Sequence, residues 1–503
     1  MSRLFLVLAL LGSLALASCS DDENNGNPSD TTDPEVTIQQ PANGATLPAG
    51  AVGISALATD NQAVAKVEFA VDGTTIGEDA TGVANVYQYT WDASGAAAGS
   101  HTIRARAIDT SGNDKDAAVT VTITSGGGPT YHSENITTDE TWRASGNPHI
   151  VTGPIGVGNG TPGLSATLTI EPGCIVKFAA DADAGLGCGW VASGSIVAVG
   201  TPTLPILFTS NAAIPQRGDW RGFSFFEGTM ATARFSYCTI EYTGYDDGAG
   251  LYVSWGAAVR MDHSTIRLGA GPGVSYDHAG HVEQFNNNII TGCAGYALET
   301  EPEYARHLGV GNNLSGNDPG KDKVMLYDGV VVTSGTWRSQ GVPFEVAQVN
   351  EGGGIYITPT DGTTAILTIE PGTTIRFSAG SQVLIGYGGS LGGLRAVGTE
   401  LQPITFTSAA SNPQPGDWQQ INFADGTADA QSRLEHCVIE YGGSAGYGNV
   451  LIADALPSIS NCSIGNGSSH GIVLAGFEYP SAGTLEANNT FYSLAGENVH
   501  VEP

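Results

Sequence analysis

Leu168-Thr169-Ile170-Glu171-Pro172-Gly173 returns unchanged as Leu367-Thr368-Ile369-Glu370-Pro371-Gly372, and the match extends in both directions. Thr141-Trp142-Arg143 recurs as Thr336-Trp337-Arg338, and Ala198-Val199-Gly200-Thr201 as Ala396-Val397-Gly398-Thr399. Phe208-Thr209-Ser210 recurs as Phe406-Thr407-Ser408, Gly218-Asp219-Trp220 as Gly416-Asp417-Trp418, and Cys238-Thr239-Ile240-Glu241-Tyr242 as Cys437-Val438-Ile439-Glu440-Tyr441. The offsets lie between 195 and 199 residues, so one segment is written twice with its order and spacing kept. A finer period runs inside each copy: matching triplets open at Cys238, Ser264 and Asn287, then at Cys437, Cys462 and Asn488, 23 to 26 residues apart. A unit of that length, holding two or three short strands and Gly turns, cannot bury its apolar side alone. Successive units must stack as coils.

Composition agrees. The 503 residues include 70 Gly and 24 Pro, which favour short strands and tight turns over long helices. With 41% hydrophobic and 14% charged residues, the chain reads as a folded protein long enough for several domains or one long repetitive one, and with the Gly and Pro content the expected class is all-β. Only 19 Lys and Arg stand against 50 Asp and Glu, a net charge of −31, so a nucleic-acid partner is excluded for want of basic stripes.

Ser458-Ile459-Ser460-Asn461-Cys462-Ser463-Ile464, followed by Gly471-Ile472-Val473-Leu474, resembles the coil of right-handed parallel β-helix proteins. The resemblance covers residues 131–503: a first half at 131–311, a polar connecting loop at 312–323 and a second half at 324–503. It implies inward-pointing small apolar and thiol side chains, with Asn at the turns stacked into hydrogen-bonded ladders. About fifteen coils at ~4.8 Å each would make a rod on the order of 70 Å long. Trp142 and Trp337 open the two halves and are expected to cover the end of a stack. The fold is specific; the function is not, since β-helices carry lyases, glycosidases, tailspikes and adhesins.

Upstream, residues 35–124 hold about seven short alternating runs, among them Val67-Glu68-Phe69-Ala70-Val71 and Thr102 to Ala107, with turn signals between them. The wording Ala58-Thr59-Asp60-Asn61, Val71-Asp72-Gly73 and Arg106-Ala107-Ile108-Asp109 resembles bacterial Ig-like modules, here read as a spacer. Asp109-Thr110-Ser111-Gly112-Asn113 is a turn that also offers oxygens to Ca²⁺, the one cofactor the sequence brings up. Residues 125–130 form a Gly-rich linker.

The N-terminus reads as an address. Leu4 to Ala17 is an apolar run of fourteen residues, too short to span a bilayer, and residues 1–18 have the layout of a signal peptide. Leu16-Ala17-Ser18-Cys19 resembles the lipobox of bacterial lipoproteins, which implies cleavage before Cys19 and a lipid anchor of the palmitate type on its thiol. The polar residues 19–34 form a disordered tether whose acidic start, Ser20-Asp21-Asp22-Glu23, resembles the surface-export signal of Bacteroidota lipoproteins. The expected location is the outer membrane, facing the cell exterior.

Six further cysteines lack the paired spacing of a zinc site, so no metal is expected on thiolate. Cys238, Cys437 and Cys462 sit at inward strand positions. Cys174 and Cys188 align with Thr373 and Tyr387, missing together in the second copy, as a bonded pair would be.

The repeat also acts as a control. Glu171, Asp219 and Glu241 recur as Glu370, Asp417 and Glu440 and are ascribed to turn chemistry. Polar groups found in the first half alone are the candidates: Asp246, Asp247, Asp277, His278 and His281 for catalysis, and Tyr245, Trp255, Tyr276, Glu301, Glu303, Arg306 and His307 for binding. Corners of successive coils lie side by side, so these residues are expected to line a groove. Paired carboxylates would suit glycoside hydrolysis, and Tyr or His would suit β-elimination. The acid balance repels uronate chains. The favoured function is non-catalytic binding or adhesion toward an extracellular glycan or a cell-surface protein. The alternatives are a polysaccharide lyase or glycoside hydrolase on the same rod, and a structural display or spacer protein.

Overall fold

The computed structural model describes residues 30–503 apart from 125–127, 159–162, 181–182, 348–352 and 445, and apart from the side chain of Asp247. The segment read as a signal peptide, Cys19 and most of the residues read as a tether lie outside the described residues. No helix among the described residues is long and apolar enough to cross a membrane.

Strands from Glu35 to Thr124 build a sandwich of a three-stranded and a five-stranded sheet, closed on a core that includes Val67, Phe69, Trp91 and Ile103. Strand Gly99–Asp109 shows the reason in its burial, with Ile103, Ala105 and Ala107 inside and Thr102, Arg104 and Arg106 at the surface.

From Thr130 onward the chain winds as a parallel β-helix. In the first half each coil lays one strand into each of three sheets: a six-stranded sheet (Glu140–Trp142 to His281–Asn286), a seven-stranded sheet (Thr130–His132 to Ile289–Thr291), and a long sheet starting at Pro154–Val157. The long sheet continues through Leu298–Thr300 and Val324–Leu326 to Thr490–Tyr492, 13 strands in all among the described residues, so the two halves are one rod. At ~4.8 Å per strand this sheet runs about 60 Å. One apolar cluster extends from Ile136 to Leu485 without a break between the halves.

The second copy is nevertheless turned by one face. Ile175–Phe178 lies in the seven-stranded first-half sheet, whereas its counterpart Thr374–Phe377 lies in the long sheet. Gly185–Cys188 lies in the long sheet, whereas its counterpart Gln382–Ile385 lies in a second-half sheet that begins at Gly329–Val330. The turn arises at the junction, where a 3-10 helix, Pro302–His307, takes the place of a strand. The chain then makes only single bridges, Phe285 with Leu308 and Ile289 with Asn313, before rejoining the long sheet at Val324.

A polar ladder carries the stack through this junction. The N–H of Cys238 donates to Ser264 Oγ, that of Ser264 to Asn288 Oδ1 and that of Asn288 to Asn312 Oδ1, each at 3.0 Å. Asn312 Nδ2 then reaches Gln340 Oε1 at 3.1 Å. Residues 312–323 therefore carry no strand but stay bonded to the coils on both sides.

Trp142 covers the N-terminal end, with the His132 ring stacked on it at 4.0 Å and His149 at 5.2 Å. Trp337, by contrast, is interior to the rod and stacks on Phe344. The Ig-like sandwich is not held off as a spacer: it lies along the seven-stranded sheet. Ala51 packs with Ile175 and Leu207, its N–H reaches Gly173 O at 3.2 Å, Lys177 pairs with Asp92 at 2.8 Å, and Arg267, salt-bridged to Glu241, sits 5.0 Å over the Tyr89 ring. Gly53 permits the approach, because a Cβ there would fall 2.3 Å from Pro202 O.

Two outcomes follow. Asn288→Ala removes the acceptor of the Ser264 N–H and a donor to the Met261 carbonyl inside the rod, and is expected to cost about 1–3 kcal/mol, read as a lowered denaturant midpoint. Burial, then the neighbouring His149, depresses His132 from 6.5 to about 4. Its contribution is thus full above pH 6.5 and is lost as pH falls toward 4. The melting temperature of His132→Phe is expected to fall less steeply across that window than that of the wild type.

Candidate functional site

The outward row of the long sheet in the first half reads Gly156, Gly187, Ser224, Tyr252, Ser275 and Glu299, aligned by the strand register. Their neighbours on either side, such as Leu186 and Cys188 or Phe223 and Phe225, point into the core. The row begins with side chains that are absent or small, which leaves a floor of bare backbone. Two depressions of about 340 and 460 Å³ lie on this floor and share Arg221 and Ser224. Gly222, with φ of 104°, admits no other residue without strain: a Cβ would meet Ala249 O at 2.1 Å.

One rim is aromatic. Trp190, 68% exposed, meets Phe226 edge-to-face at 4.5 Å, and Phe226 in turn faces Tyr252 at 6.2 Å. One corner further along, Trp255 is 56% exposed and lies flat on His278, 4.8 Å between ring centres. His278 Nδ1 stands 3.1 Å from Asp277, whose carboxylate accepts the Tyr252 hydroxyl at 2.7 Å. The opposite rim carries the ion pair of Arg221 with Asp183. Glu299 closes the far end, accepting from Ser275 Oγ at 2.7 Å, and burial raises its carboxyl above the ordinary value.

The structure separates the expected candidates. Trp255, Asp277 and His278 do meet, beside Tyr252. His281 and His307 meet through Tyr304, stacked at 4.5 Å on His281, but on the adjoining six-stranded face. His307 is pushed down by burial and by the charge of Arg306. Tyr245 and Asp246 stand at the start of the long-sheet strands, the opposite corner from Asp277, with the Tyr245 N–H on Trp220 O. The side chain of Asp247 lies outside the described residues.

Three expectations are corrected. Tyr276 is 2% exposed and inward, because it falls in register with Val253, and burial raises its phenol. Glu303 and Arg306 are structural: Glu303 pairs with Arg306 at 2.5 Å and accepts the N–H groups of Val332 and Thr333, bracing the junction, while Glu301 accepts from the Ala279 N–H. Cys174 and Cys188 are separate buried thiols on different faces, the first donating to Trp142 O, the second 3.6 Å from Thr229 Oγ1. Burial pushes each up to about 12. Strand ends also place Ile385, not Tyr387, opposite Cys188, so Tyr387 corresponds to Trp190.

The shared carboxylates hold matching contacts in both copies. Asp219 accepts from Ser210 and the Gln216 N–H, and Asp417 from Ser408 and the Gln414 N–H. Glu241 and Glu440 accept from Thr209 and Thr407. Asp183, Trp190, Arg221, Phe226 and Tyr252 were missed as site residues. The signal was present in the repeat: Trp190, Arg221, Phe226 and Tyr252 change to Tyr387, Gln419, Ala424 and Leu451 in the second copy.

Residues 34–105 match the family model described as a bacterial Ig domain. No curated protein matches the chain. Among solved structures, the chain is similar to fibronectin(III)-like modules of Clostridium thermocellum CbhA, at 31% identity over 18% of this chain and 94% of that one, TM-score 0.16. It is similar to an endo-β-1,4-mannanase from Thermotoga petrophila at 14% identity over 19% of this chain and 21% of that one, TM-score 0.17. It is also similar to a family 28 exopolygalacturonase from Yersinia enterocolitica at 10% identity over 93% of this chain and 99% of that one, TM-score 0.24.

Because the folded-state carboxyl of Glu299 is raised, its favourable protonated form is complete below the ordinary 4.5 and is lost as pH climbs through the raised value. Glu299→Gln is expected to gain melting temperature relative to the wild type from acid to neutral pH. A constant difference across that range would show that Glu299 is not buried as described.

Proposed function

We propose that the long-sheet groove of the first half binds an extracellular glycan without transforming it, on a protein held at the outer-membrane surface by lipid on Cys19. The observation that carries this reading is the aromatic rim of Trp190, Phe226 and Trp255 beside a floor bare of side chains at Gly156 and Gly187. Flat apolar rings next to hydrogen-bonding groups suit the C–H faces and hydroxyls of a sugar. The Asp183–Arg221 pair supplies those donors and acceptors opposite. A net charge of −31 favours a neutral glycan over a polyanionic one.

One observation favours a second reading, glycoside hydrolysis. Burial raises the Glu299 carboxyl above its ordinary value, the direction in which a general acid is tuned. Against it, Asp277, one of the expected catalytic carboxylates, has its Oδ2 already engaged by Tyr252 and His278.

A panel of neutral and acidic polysaccharides, scored both for retention and for new reducing ends or unsaturated sugars, separates the readings. Retention of a neutral polysaccharide without product is expected. Trp190→Ala should weaken it by about 1 kcal/mol, roughly fivefold in Kd, while Tyr387→Ala leaves it unchanged. Product release would replace binding by hydrolysis or elimination, and retention of no member would overturn the groove as a glycan site.

A further inference from the structure

The Ig-like domain carries a second concentration of chemistry, remote from the groove and independent of the glycan reading. Asp30 precedes the first strand, Asp60 follows strand Ala51–Thr59, and Asp109 closes strand Gly99–Asp109. The sandwich brings these three residues to one end, where each offers a carboxylate oxygen within 4.8 Å of the others. Two oxygens at opposite sides of a Ca²⁺ ion, each at ~2.4 Å, are about 4.8 Å apart, so the set fits within one calcium coordination sphere.

The individual oxygens indicate what the set lacks. Asp109, 2% exposed, has its Oδ1 bound by the N–H groups of Ser111 and Asn113 and its Oδ2 by Asn113 Nδ2 at 2.7 Å. Asp30 Oδ1 takes the Thr32 N–H and Asn61 Nδ2, and Asp60 Oδ2 takes the Gln62 N–H. The other two oxygens, Asp30 Oδ2 and Asp60 Oδ1, expose no surface and have no hydrogen-bond partner. Among the described residues none of the three carboxylates is paired with a lysine, arginine or histidine.

Three formal negative charges, with two buried oxygens unsatisfied, form an arrangement that costs free energy unless a cation or a proton answers it. The neighbouring N–H donors hold one oxygen each of Asp30 and Asp60 and so orient the free ones rather than neutralise them, while both oxygens of Asp109 accept. All donors available to an ion are hard oxygens, and a separation of up to 4.8 Å suits the longer oxygen distances of Ca²⁺ better than those of Mg²⁺.

We propose that Asp30, Asp60 and Asp109 form a Ca²⁺ site that ties the chain entering the Ig-like domain to the end of its sandwich. The turn at residues 109–113 is not a calcium loop by itself. Its carboxylate becomes a ligand because the fold delivers two more from 49 and 79 residues upstream.

The full chain, stripped with chelator, is titrated calorimetrically with CaCl2 and separately with MgCl2, and its thermal unfolding is followed with and without each ion. Expected is one Ca²⁺ per chain with a Kd of about 10⁻³ M or tighter, a raised melting temperature, and weaker binding of Mg²⁺. Asp60→Asn, checked for fold by circular dichroism, should lose that site, whereas Asp116→Asn, on an exposed strand position, should keep it. Wild-type protein that shows neither calcium binding nor a melting shift would overturn the site, a result that needs no variant to fold. So would equal binding by Asp60→Asn, which would mean diffuse attraction to an acidic surface.

Discussion

Each coil of the rod is completed by its neighbours. Its strands are two to seven residues long, and their N–H and C=O groups are paired with the coils above and below in parallel register. Leu168 and Ile170 lie over Ile196 and Ala198, and alternate residues point outward. No coil could shield that inner surface by itself, so stacking supplies both the hydrogen bonds and the dry interior. The same constraint accounts for the buried polar ladder. Where the chain turns from one face to the next, Ser264, Asn288 and Asn312 lend side-chain oxygens to the backbone N–H of the coil before.

Because the stack is continuous, a change at one place is transmitted along the whole rod. At the junction a 3-10 turn replaces a strand, and every later residue is carried round by one face. The groove of the first half therefore has no counterpart beside it in the second. The Ig-like domain covers a different sheet, held by Ala51, Lys177 and Arg267, and so leaves the long sheet open along the groove. Repetition built a uniform scaffold, and these two departures from uniformity gave one face an identity.

Reading one copy against the other separated scaffold from function only in part. It was sound for Asp219 with Asp417 and for Glu241 with Glu440, whose partners recur because the coil needs them. It was too generous for Tyr276, Glu303 and Arg306. A residue present in one copy alone can still be structural when it fills a core position or braces the single junction. It overlooked Trp190, which a small register error had set against the wrong partner, and Tyr252, whose outward direction depends on its place within a three-residue strand.

The amino-acid sequence by itself determined the all-β class, the duplicated stack of coils and the Ig-like domain. Those follow from local alternation, turn residues and repetition, each of which acts within a few tens of residues. Tertiary structure alone decided which corner faces which, the rotation of the second copy, the docking of the sandwich and the convergence of Asp30, Asp60 and Asp109. Each of these depends on the path of a whole coil or domain. Side chains become neighbours there through accumulated turns of the backbone, and no spacing along the chain records the sum.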